Sequence, residues 1–289
     1  MADYGLIEAG GTKFVLGISD AAGTIAATHR VPTTTPDETL GAAVEWFRHK
    51  GLTPAAIGIA GFGPLNLDRG SPGWGHVRKT PKPHWSGADL AGPFAEAFSC
   101  PVGLETDVGG AALAEARWGA GRGMASTLYV TIGTGVGGGL AMQSGLLHGV
   151  SHPEMGHMRM PRHIDDMGFV GSCPFHGDCL EGLASGPAII ARWGASLSDL
   201  DADHSGHGII AWYLGQAACS FQAIMEPARI VLGGGVMGTP GLLEKVRQEA
   251  AASGVGYFAG DPAQVIVAPG LGTNSGLLGA LAVALNLTF

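Results

Sequence analysis

Cysteine is scarce: Cys100, Cys173, Cys179 and Cys219 are the four in 289 residues. So few thiols exclude the dense disulfide framework of small secreted domains. Long apolar runs are missing too. The tract "GLLGALAVAL" near the end falls well short of the roughly 20 residues that a membrane-spanning helix needs. At the other end, "MADYGLIEAGGTKFVLG" has no basic segment followed by an apolar one, so no signal peptide is expected and the protein is read as cytoplasmic, with reduced thiols. Positive charge is also short, with 16 Lys and Arg against 24 Asp and Glu and a formal net charge of -8. That balance argues against nucleic acid or anionic membrane as a partner and leaves a small molecule.

Glycine is abundant: 50 residues with no collagen-like period, in a chain that is 46% hydrophobic and 14% charged. This describes a core-rich globule with many tight turns. Apolar runs at 5–9 and 13–19, joined by "GGT" and continued through 23–33, read as a meander of strands. Helical spacing follows at 35–51, a strand at 55–61, a helix at 86–99, a strand at 101–106 and a helix from Asp107. The opening pattern then returns at 126–149, as two strands across a glycine-rich turn with a short third. "ARIVLGGGV" and "AQVIVAPG" read as later strands, and a last helix begins near Asn274. A duplicated β-meander plus helices predicts two similar α/β domains facing each other. Residues 152–182 form an irregular stretch with little core of its own, which needs a function or a staple.

Three apolar strands end in glycines. "EAGGTK" holds Gly10, Gly11, Thr12 and Lys13; "TIGTGVGGG" holds Thr131, Gly133, Thr134 and Gly135; "LGGGVMG" holds Gly234 and Gly235 at an expected helix N-terminus. Backbone N–H groups in such turns suit phosphate oxygens. A plain hairpin or capping turn is the alternative for the first and third, the first lacks the spacing of a Walker A loop, and a simple hairpin rarely needs the glycines of the second; the three together point to a nucleotide. Asp107 follows the strand at 101–106 and is either a helix cap or a carboxylate at the mouth of the sheet, where open α/β sheets bind ligands. "SCPFHGDCLE" sets Cys173, His176 and Cys179 three residues apart, with His152, His157 and His163 upstream as sources of a fourth ligand. Tetrahedral Cys2His2 coordination suits structural zinc, and the Cys-x-x-Cys of thioredoxin-like redox chemistry is not present.

In this order the motifs resemble the ROK family of bacterial sugar kinases, on the two-lobed actin-like, ribonuclease-H-like ATPase fold, and within it the zinc-containing fructokinases. "GGTK" and "TIGTGVGGG" resemble the family's phosphate loops, and "LGGGV" with "GLGTNSGLLGA" its adenosine-side segment. "HPEMGH" and "CPFHGDCLEGLASGP" are similar to its zinc-and-sugar signature, while "TPKPHW" with "IEAGGTKF" points toward fructokinase. The resemblance implies phosphorylation of D-fructose to fructose 6-phosphate with ATP and Mg2+. It makes Asp107 the general base and Glu154, His157 and Glu181 contacts to sugar hydroxyls, with Thr106 beside them. The glycine-turn residues named above would hold ATP. His157, Cys173, His176 and Cys179 would bind structural Zn2+, and Glu8 would lie near the nucleotide-bound magnesium.

Two lobes follow from the same resemblance: 1–112, onto which a helix at about 275–289 folds back, and 113–274 with the zinc loop 152–182. They would close around the substrates, and the protein would be a homodimer. Many relatives have Asp where Glu8 stands, and many glucokinases have Asn where Thr106 stands. Glucokinase, mannokinase and N-acetylhexosamine kinase therefore stay open as alternatives. A sugar-sensing regulator of the family would carry an added N-terminal winged helix, for which a first strand beginning by Gly5 leaves no room. A zinc hydrolase would need an open coordination position that four protein ligands do not leave.

Overall fold

A computed structural model describes residues 3–286. Strands β1 (Asp3–Ala9) and β2 (Lys13–Ser19) pair antiparallel, and β3 (Ile25–Pro32) completes the meander. Helix α1 (Pro36–His49) starts on Thr35, whose side chain accepts from Glu38 N, with Pro36 in its first turn. It buries Leu40, Ala43, Val44 and Phe47, whose spacing of three, one and three puts them on one face. β4 (Pro54–Gly61) lies parallel to β1. Helix α2 (Gly92–Phe98) is shorter than the helix expected over 86–99. Asp89 accepts from Ala91 N and Gly92 N, both at 2.9 Å, and Pro93 sets the first turn, so the helix cannot start earlier. β5 (Val102–Thr106) runs parallel to β4 and leads into α3 (Asp107–Trp118).

The second series holds β6 (Ser126–Ile132), β7 (Val136–Met142) and β8 (Gly145–Leu146), then the irregular segment. Helices α4 (Leu180–Ala184), α5 (Gly186–Trp193) and α6 (Gly206–Met225) precede β9 (Arg229–Gly233). The chain ends with α7 (Leu242–Gly254), α8 (Pro262–Val265), β10 (Ile266–Val267) and α9 (Ser275–Leu285). The two sheets have the orders β3-β2-β1-β4-β5 and β8-β7-β6-β9-β10, the same topology twice.

Three expectations change. Gly234 and Gly235 follow the end of β9, and the helix that Gly235 opens is a single 3-10 turn, Val236–Gly238, with α7 beginning only at Leu242. "AQVIVAPG" is mostly not strand: Asp261 accepts from Ala263 N and starts a short helix, leaving Ile266 and Val267 in the sheet. The last helix ends at Leu285, and positions 287–289, included in the expected helix, lie outside the described residues.

The chain divides into two compact units. One takes the sequence up to Arg117, then Leu146–His152, then the segment from Leu271; the other takes Trp118–Gly145 and Pro153–Gly270. Compared with divisions at 112/113 and 274/275, all of α3 but its last residue, Trp118, stays in the first unit, which also takes in residues 146–152. In that first unit α9 packs on β1, β4 and β5 at backbone contact. A Cβ on Gly58 would sit 1.8 Å from the Ala280 carbonyl oxygen, and one on Gly279 would sit 2.5 Å from the carbonyl carbon of Gly110 in α3. Glu115 of α3, wholly buried, accepts from Leu271 N at 3.1 Å and Ser275 Oγ at 2.8 Å and so fixes where α9 begins.

Candidate functional site

β1, β4 and β5 run parallel, so their C-terminal ends share one edge of the first sheet, the edge where open α/β sheets hold ligands. Glu8, the turn Gly10–Lys13 and Asp107 lie there. The turn is closed by Gly10 N donating to Lys13 O at 3.1 Å and by Thr33 Oγ1 donating to Gly10 O at 2.8 Å, with Gly11, Thr12 and Lys13 exposed. Asp107 is the first residue of α3, half-buried, and its Oδ1 accepts from Val108 N at 2.9 Å. The Glu8 carboxyl is held above its usual range, first by burial and then by the charge of Asp107, against the opposing pull of Lys13 and Arg30. Two carboxylates thus share this edge, an arrangement that a divalent cation relieves. A Cβ on Gly276 would lie 2.4 Å from Glu8 Oε1, which puts the carboxylate against the first turn of α9, where helix N–H groups favour an anion.

Thr106, expected beside the sugar contacts, also has a local role at the strand–helix junction. It is 5% exposed, its Oγ1 donates to Glu105 Oε1 at 3.1 Å, and it accepts from Gly109 N at 3.0 Å. The hydroxyl caps α3 and has no hydrogen left for a sugar. Trp85 of "TPKPHW" is fully buried, donates from Nε1 to Thr34 O at 2.8 Å, and meets the rings of Phe14 and Phe62 at 5.6 and 5.4 Å, so it anchors that loop to the sheet.

In the second unit, the irregular stretch folds around His157, Cys173, His176 and Cys179, whose ligand atoms all lie within 4.8 Å of one another. His157 Nδ1 is 3.7 Å from Cys173 Sγ and 3.6 Å from Cys179 Sγ, and His176 Nδ1 is 3.8 Å from Cys173 Sγ. Tetrahedral zinc bonds of about 2.0–2.3 Å require ligand atoms about 3.3–3.8 Å apart. The donor set and its spacing therefore fit Zn2+. Reciprocal hydrogen bonds between Cys173 and Gly177, 3.1 and 2.9 Å, build the knuckle. Burial, with Cys173 adding to it, pushes the Cys179 thiol up to about 11, the cost that a bound cation offsets. The other histidines offered by the sequence are used elsewhere: His152 Nε2 accepts from Leu65 N at 3.2 Å, and His163 Nδ1 accepts from Asp165 N at 3.2 Å.

Val136 gathers the residues expected at the sugar. Its N–H donates to Glu181 Oε2 at 3.0 Å, and its carbonyl oxygen would be 1.8 Å from a Cβ on Gly156, so the 3-10 turn Met155–His157 presses on the start of β7. Glu154 precedes that turn, exposed, with its carbonyl accepting from His157 N at 3.0 Å. The second and third glycine turns meet here as well. β6 and β9 are parallel neighbours with Thr131 opposite Gly233, Gly133 N donates to Gly135 O at 2.9 Å, and Gly186 N donates to Gly133 O at 2.8 Å. A Cβ on Gly133 would come within 4.0 Å of Gly235 N, while Thr134 and Gly234 are exposed at the same strand ends.

A second staple went unnoticed in the sequence. Asp166 and Arg192, 5% and 3% exposed at their side chains, form a bidentate pair at 2.9 and 2.8 Å, and Tyr213 donates to Asp166 Oδ2 at 2.7 Å. The Arg192 guanidinium also lies 4.0 Å from the centre of the Phe169 ring. "HIDDM" looks like surface charge, because the partner is 26 residues away and no local spacing reveals it.

Comparison with known proteins bears on the family and the fold. The ROK family profile matches residues 4–286. A fructokinase of Zymomonas mobilis is 51% identical over 290 aligned positions, which cover 98% of this chain and 96% of the relative. Among solved structures, a ROK hexokinase of Thermus thermophilus aligns over 99% of both chains with a TM-score of 0.80 and 28% identity. A ROK glucokinase of Streptomyces griseus, solved with glucose and AMPPNP, aligns over 99% of this chain and 100% of its own with a TM-score of 0.77 and 25% identity. With a family match along almost its whole length and a relative at this identity, the chain belongs to the ROK family.

Proposed function

We propose that the chain transfers the γ-phosphoryl group of ATP to the 6-hydroxyl of D-fructose, giving fructose 6-phosphate and ADP. The full-length similarity to a named fructokinase supports the substrate. The observation that carries the chemistry is Asp107, a carboxylate at the ligand-binding edge of a parallel sheet and at the start of a helix. Asp107 accepts the proton of the attacking hydroxyl, a contribution of about 100- to 10,000-fold in rate. Glu154, Glu181 and His157 hold sugar hydroxyls. His157 can do so because its Nδ1 faces the two thiols and its Nε2 is left over. N–H groups and hydroxyls of Gly10–Lys13, Thr131 and Gly133–Gly135 hold phosphate oxygens, with Gly234 and Gly235 beside the nucleoside.

Glu8 would lie near magnesium bound with the nucleotide, which would supply positive charge against the developing γ-phosphoryl charge. Zinc, held by His157, Cys173, His176 and Cys179, would supply a cross-link only, since four protein ligands leave no position for water. The reading includes a homodimer in the cytoplasm. Free thiols suit that compartment, and among the described residues no helix is long and apolar enough to cross a membrane. Light scattering that found only a monomer would remove the dimer.

A coupled ADP-release assay with Mg-ATP and fructose, glucose, mannose or N-acetylmannosamine at matched concentration tests the substrate. Fructose is expected to give the highest kcat/KM. Preference for an aldose would assign another specificity, and no turnover on any sugar would favour a sensing role.

A further inference from the structure

We infer that Glu105, held by His148, is a positioning residue that sets the first turn of α3 and with it the carboxylate of Asp107. The inference rests on Asp107 being the base. Glu105 is 6% exposed inside β5, where an ionised side chain is costly unless fully partnered. Its partners are all close to Asp107 in the chain or pinned beside it. Oε1 accepts from Thr106 N at 2.8 Å and from Thr106 Oγ1 at 3.1 Å, and Oε2 meets His148 Nε2 at 3.1 Å. Thr106 Oγ1 passes the constraint on by accepting from Gly109 N at 3.0 Å, so residues 106 and 109 are fixed on either side of Asp107.

The helix is shaped around this carboxylate. A Cβ at position 109 would lie 2.7 Å from Glu105 Oε1 and 2.8 Å from Thr106 Oγ1, so only glycine there lets Glu105 tuck under the turn. His148 arrives from Leu146–His152, the piece that joins the first unit, and that piece is tied down again where His152 accepts from Leu65 N. The hydrogen bond to Glu105 raises the His148 pKa above its ordinary value, which favours the charged pair. His148 also borders a cavity of about 270 Å³ in which Arg69 is the other ionisable lining group besides Glu105 among the described residues.

His148 is 39% exposed at its side chain, so replacing it spares the core. His148→Leu removes the donor, and His148→Gln keeps an N–H able to reach Glu105. The expected result for His148→Leu is a kcat lower on the order of tenfold, with fructose KM within about twofold, unchanged fructose-binding stoichiometry by calorimetry, and most of the loss recovered by His148→Gln. Glu105→Gln should lose at least as much kcat. Wild-type kcat in His148→Leu, a loss that merely tracks fewer binding-competent molecules, or no advantage of Gln over Leu would overturn the inference. Asp107→Asn is run in parallel. If it is inactive while His148→Leu is normal, only the positioning role falls; if Asp107→Asn turns over normally, the base assignment and this inference fall together.

Discussion

The two sheets share one strand order but differ in what the chain does between the third and fourth strands. In the first, residues 33–53 cross through α1, which needs nothing beyond an apolar face of Leu40, Ala43, Val44 and Phe47. In the second, residues 147–228 intervene, and their irregular part leaves Ile164, Val170 and Phe175 at 79, 82 and 68% exposure. A segment that spends its apolar residues on solvent cannot be held by burial. It is held by the Cys/His cluster and the Asp166–Arg192–Tyr213 network instead. The contrast lies in the crossovers: one is held by an apolar helix face, and the irregular part of the other leans on discrete polar clusters.

Breaking the staples should do most harm. Chelation at moderate denaturant, or Cys179→Ser, is expected to cost several kcal/mol, roughly 10 °C or more in Tm, with hydrogen exchange rising first in 152–182. Equal protection with and without chelator, and no zinc by elemental analysis, would refute the metal staple. Arg192→Leu leaves Asp166 buried without its ion-pair partner, with the Tyr213 hydroxyl still donating to it, and should cost about 3–5 kcal/mol, with exchange rising in the second unit only. Gly58→Ala is the counterpart in the first unit. Driving a methyl against the Ala280 carbonyl should cost about 3 kcal/mol and loosen α9 while leaving zinc content unchanged. If Gly58→Ala melts like the wild type, α9 is not packed as closely as described.

The smallest effect has the opposite sign. Burial and the charge of Asp107 raise the Glu8 pKa, so this site costs the folded state stability above the ordinary carboxyl value near 4.5 and costs nothing below it. Glu8→Gln should therefore raise Tm at pH 7 by about 2 °C, with the gain fading as pH falls through the raised pKa and gone below about 4.5. A lower Tm at pH 7 would show that the carboxylate is stabilising where it stands.

Much of this could be read from residues alone because the signals are local. The restart at Ser126, the glycine strand ends and the triplet spacing of Cys173, His176 and Cys179 each lie within one short window. Asp107 was visible as a carboxylate at a strand end, with cap and base both open. What escaped depends on pairs distant in sequence. Glu105 with His148, and Asp166 with Arg192, carry no periodicity, and nothing local shows that the Thr106 hydroxyl bridges Glu105 and Gly109. The short α2 and α8 turn on single capping aspartates, Asp89 and Asp261, which overrode the apolar patterns around them.

The most direct test of the chemistry is fructose-dependent ADP release by Asp107→Asn beside wild type, with fructose affinity, zinc content and Tm measured on the same samples. The expected outcome is a kcat reduced by about 100- to 10,000-fold in a protein that binds fructose, holds its zinc and melts as before. A near-normal kcat in that variant would contradict Asp107 as the base.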